Sequence, residues 1–262
     1  MRTTFINHLL LFSLVCPLAG QENPSESASD ISSAPDWEAK GELGASAFFG
    51  NTSQFAVTTA LSGEADKGIL DLAGRFAFAY GESANKQGET VMNKRAWEIT
   101  SDVNFEAGAS FKGFLLGKIE SAYEKKIDLR YNIGAGGKYQ GDFQGTETEW
   151  SFALLAEKTL PLEEELFLVE RKVVGKWSAG FAFSKTLQDG RLTIESDLSV
   201  EPEIKRLANF TLSSRQSVSL QLSQSMAIQF SFVDSFDSEA QARGARSNND
   251  GQVFFSLVST FR

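Results

Sequence analysis

The chain has 262 residues, 25 Lys and Arg against 34 Asp and Glu, and a formal net charge of -9. That length suits one large β domain or two small ones, and an acidic balance without clustered Lys and Arg argues against a nucleic-acid partner. Glycine and phenylalanine are both frequent, at 22 each, whereas proline occurs five times.

Residues 1–20 read as a secretory signal: Arg2 supplies the positive start, Leu9 to Val15 a short apolar run, and Ala19-Gly20 a cleavage point before Gln21. The run is far shorter than the roughly 20 residues of a spanning helix. His8 and Cys16, the one histidine and one cysteine of the chain, both fall in this segment. Its removal would leave 24 basic and 34 acidic residues, a charge of -10, with no imidazole, thiol or disulfide. Residues 21–36 carry almost no large apolar side chain and are expected to form a disordered linker.

From Trp37 to the end the pattern is alternation with period two, the mark of strands with two different faces. Twelve strands are predicted, near 37–50, 53–65, 69–80, 94–107, 111–123, 128–141, 146–159, 172–186, 191–202, 208–221, 226–236 and 251–262. Many run to 11 residues or more, matching the roughly 9–11 that a tilted membrane strand needs and exceeding the usual 5–6 of soluble proteins. The segment 96–107 is among the cleanest, with Trp97, Ile99, Val103 and Phe105 opposite Glu98, Thr100, Asp102 and Asn104. Segments 112–123 and 209–221 mix polar and apolar residues on both faces.

Turn chemistry marks short connections at Asp66-Lys67-Gly68 and Gln188-Asp189-Gly190. Long connections are expected at 81–93, 160–171 and 237–250, after strands three, seven and eleven. All three therefore fall at one end of an up-and-down meander, as in outer-membrane barrels with short periplasmic turns and longer outer loops. Tyr80, Trp97, Tyr123 and Tyr131 near that end, and Tyr139, Trp150 and Phe261 near the other, would form two aromatic girdles. The expected fold is all-β: an antiparallel up-and-down transmembrane β-barrel of about 12 strands over residues 37–262, in the bacterial outer membrane with lipid as its surroundings. A soluble periplasmic β-sandwich is the alternative that alternation alone permits.

The last strand, Val253 to Phe261, alternates apolar residues and ends on an aromatic before Arg262. It resembles the C-terminal signal read by the barrel-assembly machinery. Three further stretches, Gly50-Asn51-Thr52, Leu129 to Tyr139 and Arg191 to Pro202, resemble the YdiY-like family of salt-induced outer-membrane proteins of unknown function (domain of unknown function 481). The resemblance spans residues 37–262 and implies a fold, but neither an activity nor site residues.

Function is bounded mainly by subtraction. A Ser nucleophile needs a base within hydrogen-bond reach, and zinc or haem sites draw on His or Cys; after signal removal neither residue type remains, so no enzyme and no cofactor are expected. Carboxylates two apart, Glu147 with Glu149 and Glu195 with Asp197, could in principle serve a glycosidase. Polar barrel interiors favour another reading: Arg75, Glu98, Asp102, Lys118, Arg130, Lys138, Glu147, Glu149, Lys176, Arg191, Glu195, Asp197 and Arg215 face the lumen as pore or plug residues. The glycines at 134, 136 and 137 lie inside an alternating run, where they mark a bend or close packing rather than a phosphate loop. Glu163-Glu164-Glu165, and Asp237, Glu239 and Asp250, read as solvated acidic loops. The roles left open are passive permeation of small polar solutes or ions, or a closed-lumen structural barrel for envelope stress.

Overall fold

A computed structural model of the chain describes residues 36–49, 54–66, 69–84, 89–106, 110–162, 172–188 and 190–261. The expected signal, the linker to residue 35, the Gly50-Asn51-Thr52 turn, the Glu163-Glu164-Glu165 cluster and Arg262 lie outside these residues. So do Lys67, Gly68 and Asp189 of the two short turns.

Among the described residues twelve strands form one antiparallel sheet: β1 (Asp36–Phe49), β2 (Gln54–Asp66), β3 (Leu70–Ala84), β4 (Thr90–Glu106), β5 (Phe111–Ala122), β6 (Ile127–Asp142), β7 (Glu147–Pro161), β8 (Val174–Leu187), β9 (Leu192–Pro202), β10 (Phe210–Ser223), β11 (Met226–Asp237) and β12 (Asn249–Phe261). Each strand pairs with its sequence neighbours, and β1 pairs with β12 from Ala39↔Phe261 to Phe49↔Gly251, closing the barrel. Closure removes the edge that an open sheet would leave unpaired.

The meander sorts its connections. At one end the turns are 67–69, 107–110, 143–146, 188–191 and 224–225, each of two to four residues. The 143–146 turn shows why so few suffice. Phe143 and Thr146 exchange backbone hydrogen bonds of 2.9 and 3.0 Å, and Gln144 and Gly145 both take positive φ, the geometry that follows the twist of a hairpin. At the other end, hereafter the loop end, connections reach 12 residues at 162–173 and 11 at 238–248. The expected long loop at 81–93 is shorter: β3 runs on to Ala84 and β4 begins at Thr90, paired through Ala84↔Thr90 past a register shift at Gly81/Glu82. A bulge absorbs the irregular sequence and lets the hairpin continue.

Alternation sets the two faces. Outward side chains form an apolar band: Leu43, Leu61, Phe152, Phe230 and Phe255 are exposed, and Ile133 reaches 69 % exposure. Apolar surface spread around a whole closed barrel is the lipid-facing band of a transmembrane β-barrel. Tyr131, Tyr139, Trp150 and Phe261 stand exposed on the same outer face, whereas Tyr123 sits in a 3₁₀ turn, Tyr123–Lys125, after β5.

Inward, the wall is not uniform. Buried Phe114, Ala153 and Leu155 pack with Leu116 into an apolar pad between β5 and β7, which explains the mixed faces of 112–123. β6 lies between them and presents glycines toward the pad. A Cβ on Gly136 would sit 2.2 Å from the Phe152 carbonyl and 2.7 Å from the Ala153 Cβ, and one on Gly134 would sit 2.3 Å from Leu155. The glycine run therefore permits close approach of β6 and β7, as its position inside a strand implied.

Candidate functional site: the charged lumen

Three zones of the interior differ in how their charges are matched. At the loop end, β5, β6, β7, β8 and β11 each send a long polar side chain inward. Arg130 on β6 donates from Nη1 to Glu120 (3.1 Å), from Nη2 to Asp237 (2.6 Å) and from Nε to Thr159 (3.0 Å), with Glu157 3.9 Å away. Lys176 on β8 donates to Glu157 at 2.7 Å. Lys118 on β5 lies 2.8 Å from both Glu98 and Glu120. Asp237 also accepts from Arg243 of the β11–β12 connection at 2.5 Å. These eight charges, four basic and four acidic, form one connected and neutral network. Its members include the most deeply buried charges among the described residues, Lys176 at 1 % exposure and Asp237 and Arg243 at 2 %. A second pair, Lys94 with Glu124, is buried beside it. Charges this far from water persist only when paired and hydrogen-bonded.

The network also crosses the lumen. β6 and β11 are separated by four strands on one side of the barrel and six on the other, yet Arg130 and Asp237 are hydrogen-bonded. Lys125, from the turn after β5, likewise donates to Ser235 of β11 at 2.6 Å.

Below this lies a cavity of about 540 Å³ whose lining includes Glu42, Arg75, Glu98, Lys118, Glu149, Asp197 and Arg215. Arg75 reaches Glu42 at 3.4 Å, and Glu42 accepts from Ser256 at 2.9 Å. Arg215 makes no hydrogen bond or ion pair with the described residues. Arg75 of β3 and the carboxylates of Glu42, Glu98 and Asp197 act on it electrostatically from the same cavity.

Toward the turn end opens a second cavity of about 760 Å³, lined by Asp142, Glu147, Glu149, Glu195 and Asp197 with no Lys or Arg among the described residues of its wall. Lys138 approaches Glu149 from one side, at 3.5 Å. The two cavities share Glu149, Ala182 and Asp197, so they meet at that level.

The thirteen charged residues marked out in the sequence thus separate into groups. Lys118, Arg130 and Lys176 belong to the loop-end network together with Glu98. Arg75 and Arg215 face each other across the middle. Glu147, Glu149, Glu195 and Asp197 come together at the turn end, beside Lys138, and Asp102 feels Lys138 and Glu149 from β4. Arg191 lies exposed in the β8–β9 turn and lines neither cavity. Sequence reasoning missed Glu42, Glu120, Glu157 and Arg243. It also read Asp237 as solvated, whereas the structure buries it between two guanidiniums. Glu120 and Glu157 follow the inward parity of their strands and were legible; Arg243, in a connection without period, was not.

A closed twelve-stranded barrel with a polar interior and an apolar outer band is a bacterial outer-membrane β-barrel. The fold is similar to that of the NanC porin, with a TM-score of 0.55 at 6 % identity, over 85 % of this chain and 100 % of that one. The translocator domain of the autotransporter NalP from Neisseria meningitidis also aligns, at a TM-score of 0.48 and 10 % identity over 86 % of this chain and 88 % of that one. Residues 41–261 match the model of a protein family of unknown function, DUF481, and the chain belongs to that family. A search of curated proteins gives no match.

Proposed function

We propose that the barrel is a passage for small polar solutes and ions, with a preference for cations, oriented with its loops outward and its turns in the periplasm. The observation that carries this reading is the pair of water-accessible cavities that meet at Glu149 and Asp197. Together their walls hold eleven carboxylates and five Lys or Arg. A path lined by one sign of excess charge concentrates the opposite ion, and acidic rings are a common means of cation selection. The role is not enzymatic. Beyond His8 the chain has no histidine, and its inward carboxylates stand among hydroxyls and cations suited to solvating a passing ion.

Purified protein inserted in a planar bilayer should give discrete conductance steps, with a reversal potential of cation-selective sign in a salt gradient. An inserted barrel that stays silent would refute the passage. That outcome would favour a closed structural barrel, the second reading, which rests on the neutral network spanning the loop end.

A further inference from the structure

The cross-lumen network includes one member that belongs to no strand. Arg243 ends a 3₁₀ turn, Gln241–Arg243, within the connection 238–248, and the chain reverses after it at Gly244 with a φ of 85°. This turn brings the guanidinium inward onto Asp237, the same carboxylate that Arg130 reaches from the far wall. Ala240 and Ala245 are buried on either side of the turn. On the basis of the passage proposed above, we infer that the connection 238–248 is a latch that closes the loop-side mouth of the lumen and is held by Arg243, so that solute crosses when this clasp lets go.

Three features separate a latch from an ordinary well-packed loop. Its buried apolar side chains are two alanines, which contribute little hydrophobic stabilisation. Further contacts of the connection are polar: Ser238 exchanges hydrogen bonds with Phe210, the Ser238 N–H donating to the Phe210 carbonyl at 3.1 Å and the Phe210 N–H to Ser238 Oγ at 2.9 Å. Glu239 pairs with Arg206 of the β9–β10 connection, and the Gln241 N–H donates to Asn248 Oδ1 at 2.9 Å. Finally, Arg243 Nε is buried without a hydrogen-bond partner, so the closed position carries an unmet polar group that release would hydrate. Of the two ion pairs that the connection makes, Arg243–Asp237 is the buried one that reaches into the lumen, and its geometry is incompletely satisfied. The barrel wall does not depend on it, because the strand ladders close the barrel without Arg243. Segments of this kind, poor in apolar burial and rich in exposed hydrogen bonds, are those that open locally.

The test compares single-channel recordings of the full chain with those of Arg243→Ala and of a variant whose residues 239–247 are replaced by a short Gly-Ser turn. Assembly of each is confirmed by the gel-mobility difference between unboiled and boiled samples. The wild type should be closed most of the time. Arg243→Ala should raise the open fraction at least fivefold, and the shortened variant should remain open. If Arg243→Ala does not assemble, the shortened variant, which keeps every strand, gives the same reading. Equal open fractions in wild type and variants would overturn the latch and leave the passage standing. Silence in every inserted form would overturn the passage, and the latch with it.

Discussion

The loop end and the turn end of the lumen are built from the same residue types and reach opposite electrostatic solutions. At the loop end four carboxylates meet four Lys or Arg in one network, with Arg130, Glu157, Lys176, Asp237 and Arg243 buried and Glu98, Lys118 and Glu120 half-buried. At the turn end five carboxylates line one water-accessible wall with no Lys or Arg among its described residues, and Lys138 reaches one of them, Glu149, from the side. Burial is what separates the two. Charge removed from water has to be neutralised by a partner, while charge left in water can stay unmatched and project a field. One end is consequently suited to holding the barrel together and the other to attracting ions.

Substitutions should expose that contrast, beginning at the centre of the loop-end network. Arg130→Leu takes one partner each from Asp237, Glu120 and Glu157 and leaves the network with an excess negative charge; it should cost about 3–5 kcal/mol, read as a large drop in the temperature at which the folded gel band disappears. On the outer face, Ile133→Arg places a charge in lipid and should cost about 2–4 kcal/mol at mid-membrane depth, measured by denaturant titration in vesicles. If instead Ile133→Arg were silent, the lipid-facing assignment of that surface would be wrong. Gly136→Val forces β6 and β7 apart where a Cβ has no room and should cost about 1–3 kcal/mol in the same titration. The smallest effect on stability belongs to the turn end. Glu147→Gln with Glu195→Gln should leave unfolding within about 0.5 kcal/mol of wild type while moving the bilayer reversal potential toward zero. A loss of stability as large as that of Arg130→Leu would abolish the contrast.

The sequence made some of this arrangement legible and hid the rest for physical reasons. Strand order and the inward row of charges follow from period two, which depends on local side-chain direction alone. Alternation blurs at Phe114 and Leu116 because the lumen holds an apolar pad, and a lumen residue is then as apolar as a lipid-facing one. The strands at 81–93 were obscured by a bulge that breaks parity. The pairing of Arg130 with Asp237 joins residues 107 positions apart, which becomes visible only once the barrel has closed. Arg243 carries no periodic signal at all. The division between matched and unmatched charge is therefore a property of the closed barrel that no single strand announces.

The most direct test of a sealed loop end and an accessible turn end is one-sided labelling of a single thiol in the middle of the lumen. Ser151, which lines the central cavity from β7, would be changed to Cys in a chain carrying Cys16→Ala. A bulky, membrane-impermeant maleimide would be offered from outside intact cells or, after the envelope is opened, from the periplasmic side as well. The account predicts labelling at least tenfold faster once the turn end is reachable. Equal rates from the two sides, or faster labelling from outside, would contradict it.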